Sequence, residues 1–301
     1  VCGDGKAGGG QDRRRPQTGG AALSKLAERI ASARSVLFVP GGRPDRFAKA
    51  LASGADIAVL DLEDAVAVGD KDAARVAVGD FLSTGVQVLV RVNGTDTSWC
   101  ADDLQMVAQW KCAVMVPKAH SASQLQRITE QLAPGTPLVA LIETAAGVNA
   151  TEAICAVDTV VRAAFGSIDL GAELGVDPDV QQALQYARSA VVLGSAAAGR
   201  AAPLDGVTTE LGDMGMLSDD ISHAVRLGFG GKLCIHPRQV AVVNQRFSPS
   251  PEELAWARKV IDEAAGGEVC VVDGKMVDKP VLARAERILL RSSTIGQAPT
   301  Q

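Results

Sequence analysis

Acidic residues recur at the ends of short apolar runs in this chain, with a few cations among them. Residues 57–62 carry Asp61 and lead into Glu63 and Asp64. Residues 86–92 carry Arg91 and end on Asn93. Residues 113–117 lead to Lys118 and 138–142 to Glu143. Residues 160–165 are followed by Asp169, and 231–235 by His236. Carboxylates gathered in one place repel one another and need a cation or a proton. Oxygen donors without clustered Cys or His suit Mg2+, or Mn2+, rather than zinc. Glu143 and Asp169 follow successive runs, so they can hold one ion together. A rim of helix caps and surface ion pairs is the alternative. Lys118 would neutralise this cluster or, alternatively, form a Schiff base. His236 is a candidate base, whereas His120 and His223 stand alone.

The elements that must position these residues follow from the runs themselves. Eight occur, at 35–39, 57–62, 86–92, 113–117, 138–142, 160–165, 202–207 and 231–235. Short, nearly continuous apolar runs suit strands covered on both faces, as in a parallel sheet. Helical patterning separates them at 46–53, 71–82, 122–132, 179–198 and 219–227. This alternation predicts an α/β fold, a (β/α)8 TIM barrel over 33–247, with the listed polar residues at its active mouth. A doubly wound sheet would need a G-x-G-x-x-G turn after the first strand, and Pro40-Gly41-Gly42-Arg43-Pro44 lacks it.

A C-terminal extension over 248–292 follows. Ser250-Pro251-Glu252-Glu253 starts a helix over 251–265. Asp273-Gly274 turns a hairpin between 268–272 and 275–277, and a last helix covers 281–290. This segment has too little core to stand alone, so it is expected to dock on the barrel or on a neighbouring subunit. Residues 1–20 read as a disordered leader, and 293–301 as a tail.

Composition narrows the partners. The chain of 301 residues has 30 Lys+Arg against 35 Asp+Glu, a net charge of −5, which argues against nucleic acid. No run approaches the roughly 18–20 apolar residues that cross a bilayer, and the N-terminus lacks a secretory core. The six cysteines show no C-x-x-C pair. They read as reduced thiols of a cytoplasmic protein.

An ordered series of motifs carries a resemblance. Arg34-Ser-Val-Leu-Phe-Val-Pro-Gly41, Val59-Leu-Asp-Leu-Glu-Asp-Ala-Val66, Val90-Arg-Val-Asn93 and Val116-Pro-Lys118 begin it. Leu141-Ile-Glu-Thr-Ala-Ala-Gly147, Phe165-Gly-Ser-Ile-Asp-Leu170, Cys234-Ile-His-Pro237 and Gly274-Lys-Met-Val-Asp-Lys-Pro280 complete it. Over residues 33–292 the chain resembles the citrate lyase β-subunit-like CoA-ester lyases of the HpcH/HpaI aldolase superfamily.

The resemblance implies a Mg2+-dependent carbon–carbon lyase on a TIM barrel. Its substrate would be malyl-CoA, citramalyl-CoA or citryl-CoA, cleaved to or formed from acetyl-CoA and a 2-oxo acid, with or without thioester hydrolysis. Glu143 and Asp169 would hold the metal, Glu143 also touching substrate. Arg91 would bind the substrate carboxylate or oxyanion. Asp278, from a neighbouring subunit, would move the proton near the acetyl carbon, which implies a homo-oligomer, commonly a trimer. Without the resemblance, Asp278 reads as a helix N-cap.

Asp61, Glu63 and Asp64 would hold metal-bound waters and Lys118 from behind. Arg34, Arg43 and Arg46 would meet CoA phosphates, with His236 on the CoA side. Two alternatives stay open: the citryl-thioester lyase subunit of a citrate lyase complex, with an acyl-carrier protein as partner, or a non-enzymatic CoA-ester sensor.

Overall fold

The computed structural model describes residues 18–264 and 270–295. Eight parallel strands close into a barrel in chain order. They are β1 (Ser35–Pro40), β2 (Ile57–Asp61), β3 (Leu89–Arg91), β4 (Ala113–Val116), β5 (Leu138–Ile142), β6 (Val160–Phe165), β7 (Leu204–Asp205) and β8 (Gly231–Cys234). Closure comes from β1 pairing with β8, with Val36 opposite Leu233. All eight predicted runs are strands; β3 and β7 are shorter than the patterning suggests.

Alternation along each strand splits the apolar residues into two layers. Val36, Val59, Leu89, Met115, Leu141 and Leu233 fill the barrel interior. Leu37, Leu60, Val90, Val114, Ala140 and Cys234 face outward and pack under the helices. Both layers are buried, which is why the strand runs look continuously apolar in sequence.

The first helix, α1 (Thr18–Ser32), was not anticipated. It begins within the stretch expected to be leader, so residues 18–20 are helical; residues 1–17 lie outside the described residues. Leu23, Leu26 and Ile30 recur on one face and are buried, and Leu26 and Ile30 join the interior cluster at the amino end of the barrel. Arg162, inside β6 and 1% exposed, holds the helix there. Its Nη1 donates to Ile30 O at 2.9 Å and Ala33 O at 2.6 Å, and its Nε to Ala202 O at 2.6 Å. The first two bonds reach carbonyls at the C-terminal end of α1, where a helix leaves carbonyls without intrahelical partners, and the third reaches the segment before β7. Burial pulls the guanidinium down to about 9.

The outer helices are α2 (Phe47–Leu51), α3 (Lys71–Leu82), α4 (Cys100–Val107), α5 (Ala122–Thr129), α6 (Ala145–Asn149) and α7 (Thr151–Cys155). After them come α8 (Ser167–Leu174), α9 (Gln185–Ala197), α10 (Met214–Leu227) and α11 (Pro237–Arg246). The helix at 71–82 has the predicted bounds. Those predicted at 46–53, 122–132 and 179–198 are shorter, that at 219–227 is longer, beginning at Met214, and α4, α6, α7, α8 and α11 have no counterpart in the sequence patterning.

The extension comprises α12 (Pro251–Glu263), the hairpin β9 (Cys270–Val272) and β10 (Lys275–Val277), and α13 (Lys279–Ile295). Ser250 and Glu253 form a reciprocal capping box at the start of α12, as the sequence suggests. Ala257, Val260, Val272, Val277, Ala285 and Ile288 form a small core of its own. Helix α13 runs through Ile295, into the stretch expected to be tail; residues 296–301 lie outside the described residues. Among the described residues no helix is long and apolar enough to cross a membrane.

Candidate active site

The carboxyl ends of the strands deliver their polar residues to one mouth. Asp61, at the end of β2, is 1% exposed. Its Oδ1 accepts from Glu63 N at 2.9 Å and its Oδ2 from Ala65 N at 3.1 Å, which folds the acidic turn back over the strand. Arg91, at the end of β3, donates to the same carboxylate with two parallel bonds of 2.7 Å from Nε and Nη2. Its Nη1 lies 3.0 Å from Glu63 Oε2 and 3.5 Å from Asp64 Oδ2. The guanidinium also stacks 4.8 Å from the Phe38 ring centroid. Burial opposes the charge on Arg91, but Asp61, Glu63 and Asp64 outweigh it and hold the group above its usual value.

Lys71, 7% exposed, pins the turn from behind. Its Nζ donates to Leu62 O, Glu63 O and Asn93 Oδ1, each at 2.7 Å. Asn93 in turn donates from its backbone N and Nδ2 to Asp103 Oδ2, at 2.9 and 2.6 Å. Neither Lys71 nor Asp103 stands out in the sequence as part of the site. Their types are ordinary on outer helices, and only the three-dimensional fold brings them behind the turn.

Lys118 follows β4. Its Nζ donates to Glu63 Oε1 at 2.8 Å and lies 3.8 Å from Asp169 Oδ1. Burial is offset by the carboxylates around it, which hold the ammonium charged. Its backbone has φ of +47°, a left-handed conformation uncommon for a residue with a side chain. That conformation accompanies a 2.7 Å bond from its N–H to Glu143 Oε1.

Glu143, at the end of β5, is 2% exposed. Burial, together with the charges of Glu63 and Asp169, pushes its carboxyl up to about 8. Gly166, between β6 and α8, makes room for it. A Cβ on Gly166 would sit 2.4 Å from Glu143 Cβ and 2.5 Å from Oε2. Asp169, in the first turn of α8, has a side chain 36% exposed and borders the same cavity.

That cavity has a volume of about 340 Å³. Asp61, Asp64, Arg91, Glu143 and Asp169 contribute its charged lining, and Phe38, Leu141 and Leu233 its apolar side. No group of three or more His, Cys, Asp or Glu side chains is arranged as a metal cage among the described residues. Two carboxylates suffice for Mg2+, which keeps several waters. Glu143 and Asp169 fit such an ion by three features: oxygen donors, mutual repulsion that a cation would relieve, and a glycine cradle beside Glu143.

Other expected site residues divide. Glu63 meets Lys118, as anticipated. Asp61 does not, because its bonds go to Arg91 and the turn. Arg34 is corrected more sharply. It precedes β1, at the opposite end of the barrel, where it pairs with Asp56 at 2.8 and 2.9 Å and donates to Ser248 Oγ at 2.9 Å. Arg43 and Arg46 do follow β1, and Arg43 is paired with Asp45 on the surface. His236 is half-buried after β8, and its Nδ1 accepts from Arg238 N at 3.1 Å, capping α11. Asp278 caps α13, its Oδ1 accepting from Val281 N at 3.2 Å, and is not among the residues lining the mouth cavity. Cys112 and Cys234 are buried, and burial pushes each thiol up to about 12, which suits packing rather than nucleophilic chemistry.

A paired, buried arginine and a repelling carboxylate pair at the carboxyl mouth of a closed (β/α)8 barrel place the chain in the lyase or aldolase class. Comparison with known proteins gives the family. The family described as HpcH/HpaI aldolase/citrate lyase matches residues 34–237. A second, the C-C bond lyase of the TIM-barrel fold, matches 181–297. A citrate lyase subunit beta-like protein of Mycobacterium tuberculosis is 39% identical over 273 residues, 88% of this chain and 96% of the relative. A (3S)-malyl-CoA thioesterase of Cereibacter sphaeroides is 35% identical over 283 residues, 90% of this chain and 98% of the relative.

Among solved structures, CitE from M. tuberculosis in complex with magnesium, acetoacetate and coenzyme A aligns with a TM-score of 0.76 and 37% identity. The alignment covers 87% of this chain and 99% of that one. The citrate lyase beta subunit of the same organism, with oxaloacetate and magnesium, aligns at 0.65 and 36% identity, over 73% and 100%. The chain belongs to the HpcH/HpaI aldolase/citrate lyase family and is a carbon–carbon bond lyase.

Proposed function

We propose that the protein is a Mg2+-dependent CoA-ester lyase. It would cleave, or in reverse form, a β-hydroxyacyl-CoA between the hydroxyl-bearing carbon and the carbon next to the thioester. The products are acetyl-CoA and a 2-oxo acid. The observation that carries this reading is the Glu143–Asp169 pair facing Arg91 across one cavity, with the Glu143 carboxyl raised to about 8. The magnesium, acetoacetate and coenzyme A bound to the M. tuberculosis relative support it.

Glu143 and Asp169 hold the ion, which when bound supplies Lewis-acid polarisation of the hydroxy-acid oxygens. Arg91 keeps a fixed positive charge where negative charge develops on oxygen. Asp61 and Glu63 orient its planar fork, so little reorganisation accompanies the reaction. The first turn of α8 borders the same cavity without a side-chain cap at Gly166, and its N–H groups receive the substrate carboxylate. Lys118 balances Glu63 and Asp169 and keeps the mouth from excessive negative charge.

Cleavage removes a proton from the hydroxyl and returns one to the acetyl carbon. We assign the second transfer to Asp278 of a neighbouring subunit in a homo-oligomer, a trimer by family resemblance. Arg43, Arg46 and His236 lie after β1 and β8, on the side given to CoA. The test is product analysis with malyl-, citramalyl- and citryl-CoA in the presence of Mg2+. Equal release of acetyl-CoA and 2-oxo acid is expected from at least one ester. Release of free CoA alone would instead mean thioester hydrolysis without carbon–carbon cleavage, and would overturn the lyase reading.

A further inference from the structure

Behind the acidic turn lies a cation that is not among the residues lining the mouth cavity. Lys71 opens α3 and is 7% exposed. Its Nζ has three acceptors at 2.7 Å: Leu62 O, Glu63 O and Asn93 Oδ1. Serving all three takes every hydrogen of an ammonium, one more than a neutral amine has. The acceptors are uncharged, so these bonds fix the path of the chain rather than neutralise a carboxylate. The Trp99 ring lies over the ammonium, its centroid 5.5 Å from Nζ. Burial opposes the charge, and Asp61, Glu63, Asp103 and Asp64 favour it.

Both sides of this bond set are fixed in turn. On one side, Asn93 donates from N and Nδ2 to Asp103 Oδ2, which leaves its Oδ1 facing Lys71. Asp103 is buried, and its Oδ1 accepts from Arg75 Nε at 2.7 Å. On the other side stands Glu63. Its carbonyl is held by Lys71, while its carboxylate lies 3.0 Å from Arg91 Nη1 and 2.8 Å from Lys118 Nζ. Its N–H donates to Asp61 Oδ1, the same oxygen that accepts from Arg91 Nε. Glu63 therefore links Arg91 and Lys118 at the mouth to an anchor outside it.

We propose that Lys71 is a positioning residue for the reaction: it holds the Glu63 main chain, and through Glu63 and Asp61 it sets where the Arg91 and Lys118 head groups stand. The proposal rests on the lyase reading above and adds to it a residue that touches no substrate. Lys71→Met keeps an unbranched apolar stem and removes all three donors.

The test measures kcat, KM and Mg2+ affinity in Lys71→Met, Glu63→Gln and the double variant, and follows amide exchange by mass spectrometry. Lys71→Met should lower kcat by about 10²-fold, the loss that a misplacement of about 1 Å can cause. KM and calorimetric Mg2+ affinity should stay within about threefold, since the bond that holds Glu143 comes from the Lys118 main chain rather than from the turn. The kcat losses of the two single variants should not multiply in the double variant, because one residue acts through the other. Exchange should rise in peptides covering 62–66 and stay unchanged in β5 and β6. A kcat within about threefold of wild type, or losses that multiply in full, would overturn the proposal and leave the lyase reading intact. Exchange raised throughout the barrel would also overturn it, by making Lys71 a support of the fold alone. If Lys71→Met does not fold, Lys71→Gln, which keeps an amide donor, takes its place with the same outcomes. If the wild type cleaves no ester, the lyase reading falls and exchange alone decides: a rise confined to 62–66 retains the positioning role, and no rise overturns it.

Discussion

At Glu143, which we propose as a metal ligand, burial couples a proton to the charge of its neighbours. Its carboxyl lies far above the ordinary 4.5, at about 8, so the metal-free fold favours the neutral acid. The sign follows from linkage. Stability from this group is complete below pH 4.5 and is lost as pH rises through about 8. Below pH 8, Mg2+ must displace that proton. Its apparent affinity should therefore rise about tenfold per pH unit and level off above pH 8. Calorimetric titration from about pH 6 to pH 9 checks this, and Glu143→Gln should both weaken binding and flatten the slope. Arg91→Lys keeps the charge but loses the planar fork that fits Asp61. It should lower kcat by about 10²–10³ with a smaller change in KM, measured under saturating Mg2+. Much of this site was visible in sequence, because Asp61, Arg91, Lys118, Glu143 and Asp169 each stand at the end of a recognisable apolar run. Lys71, Asn93 and Asp103 were less visible as a unit, since the partners that connect them are distant in sequence.

The strand and helix ends turn those residues into a site. The junction between β6 and α8 is tight enough that Gly166→Ala would drive a methyl group into Glu143. We expect that variant to fold, to bind Mg2+ at least about tenfold more weakly, and to lose activity in proportion; far-ultraviolet circular dichroism and calorimetry separate the effects. At the opposite end, Arg162→Leu would strip three bonded carbonyls of their donor where α1 meets the barrel. Chemical denaturation should show a loss of about 2–4 kcal/mol, with the site chemistry little changed. The strands were legible because burial on both faces makes each an unbroken apolar run. Helices such as α6 and α8 were not, being short and rich in Ala and Gly, with little contrast between faces. Helix α1 was obscured because Gly and polar residues precede its three inward-facing apolar positions. Arg34 comes before Ser35, at the start of β1, and in a parallel barrel every strand start lies at the end opposite the mouth, so chain order alone assigns it away from the site.

At the scale of the whole molecule, we propose that the C-terminal extension acts on a neighbouring subunit. The extension packs a core of its own, and Asp278 caps α13 without bordering the mouth cavity of its own barrel. Asp278→Ala and Glu143→Gln should each be inactive alone. Mixed after dissociation and reassembly, they should recover up to about a quarter of wild-type activity if each site combines one subunit's mouth with another's Asp278. No recovery in a reassembled mixture would place the proton donor within one chain. Whether the carboxylate pair is a metal site for carbon–carbon cleavage is decided by following 2-oxo acid and acetyl-CoA release from citramalyl-CoA as Mg2+ is titrated into metal-stripped protein, wild type beside Glu143→Gln. Both products should be released equally, saturating with Mg2+ in the wild type and reduced by at least about 10³-fold in the variant. Cleavage that persists without Mg2+, or that survives in Glu143→Gln, would contradict a metal site there.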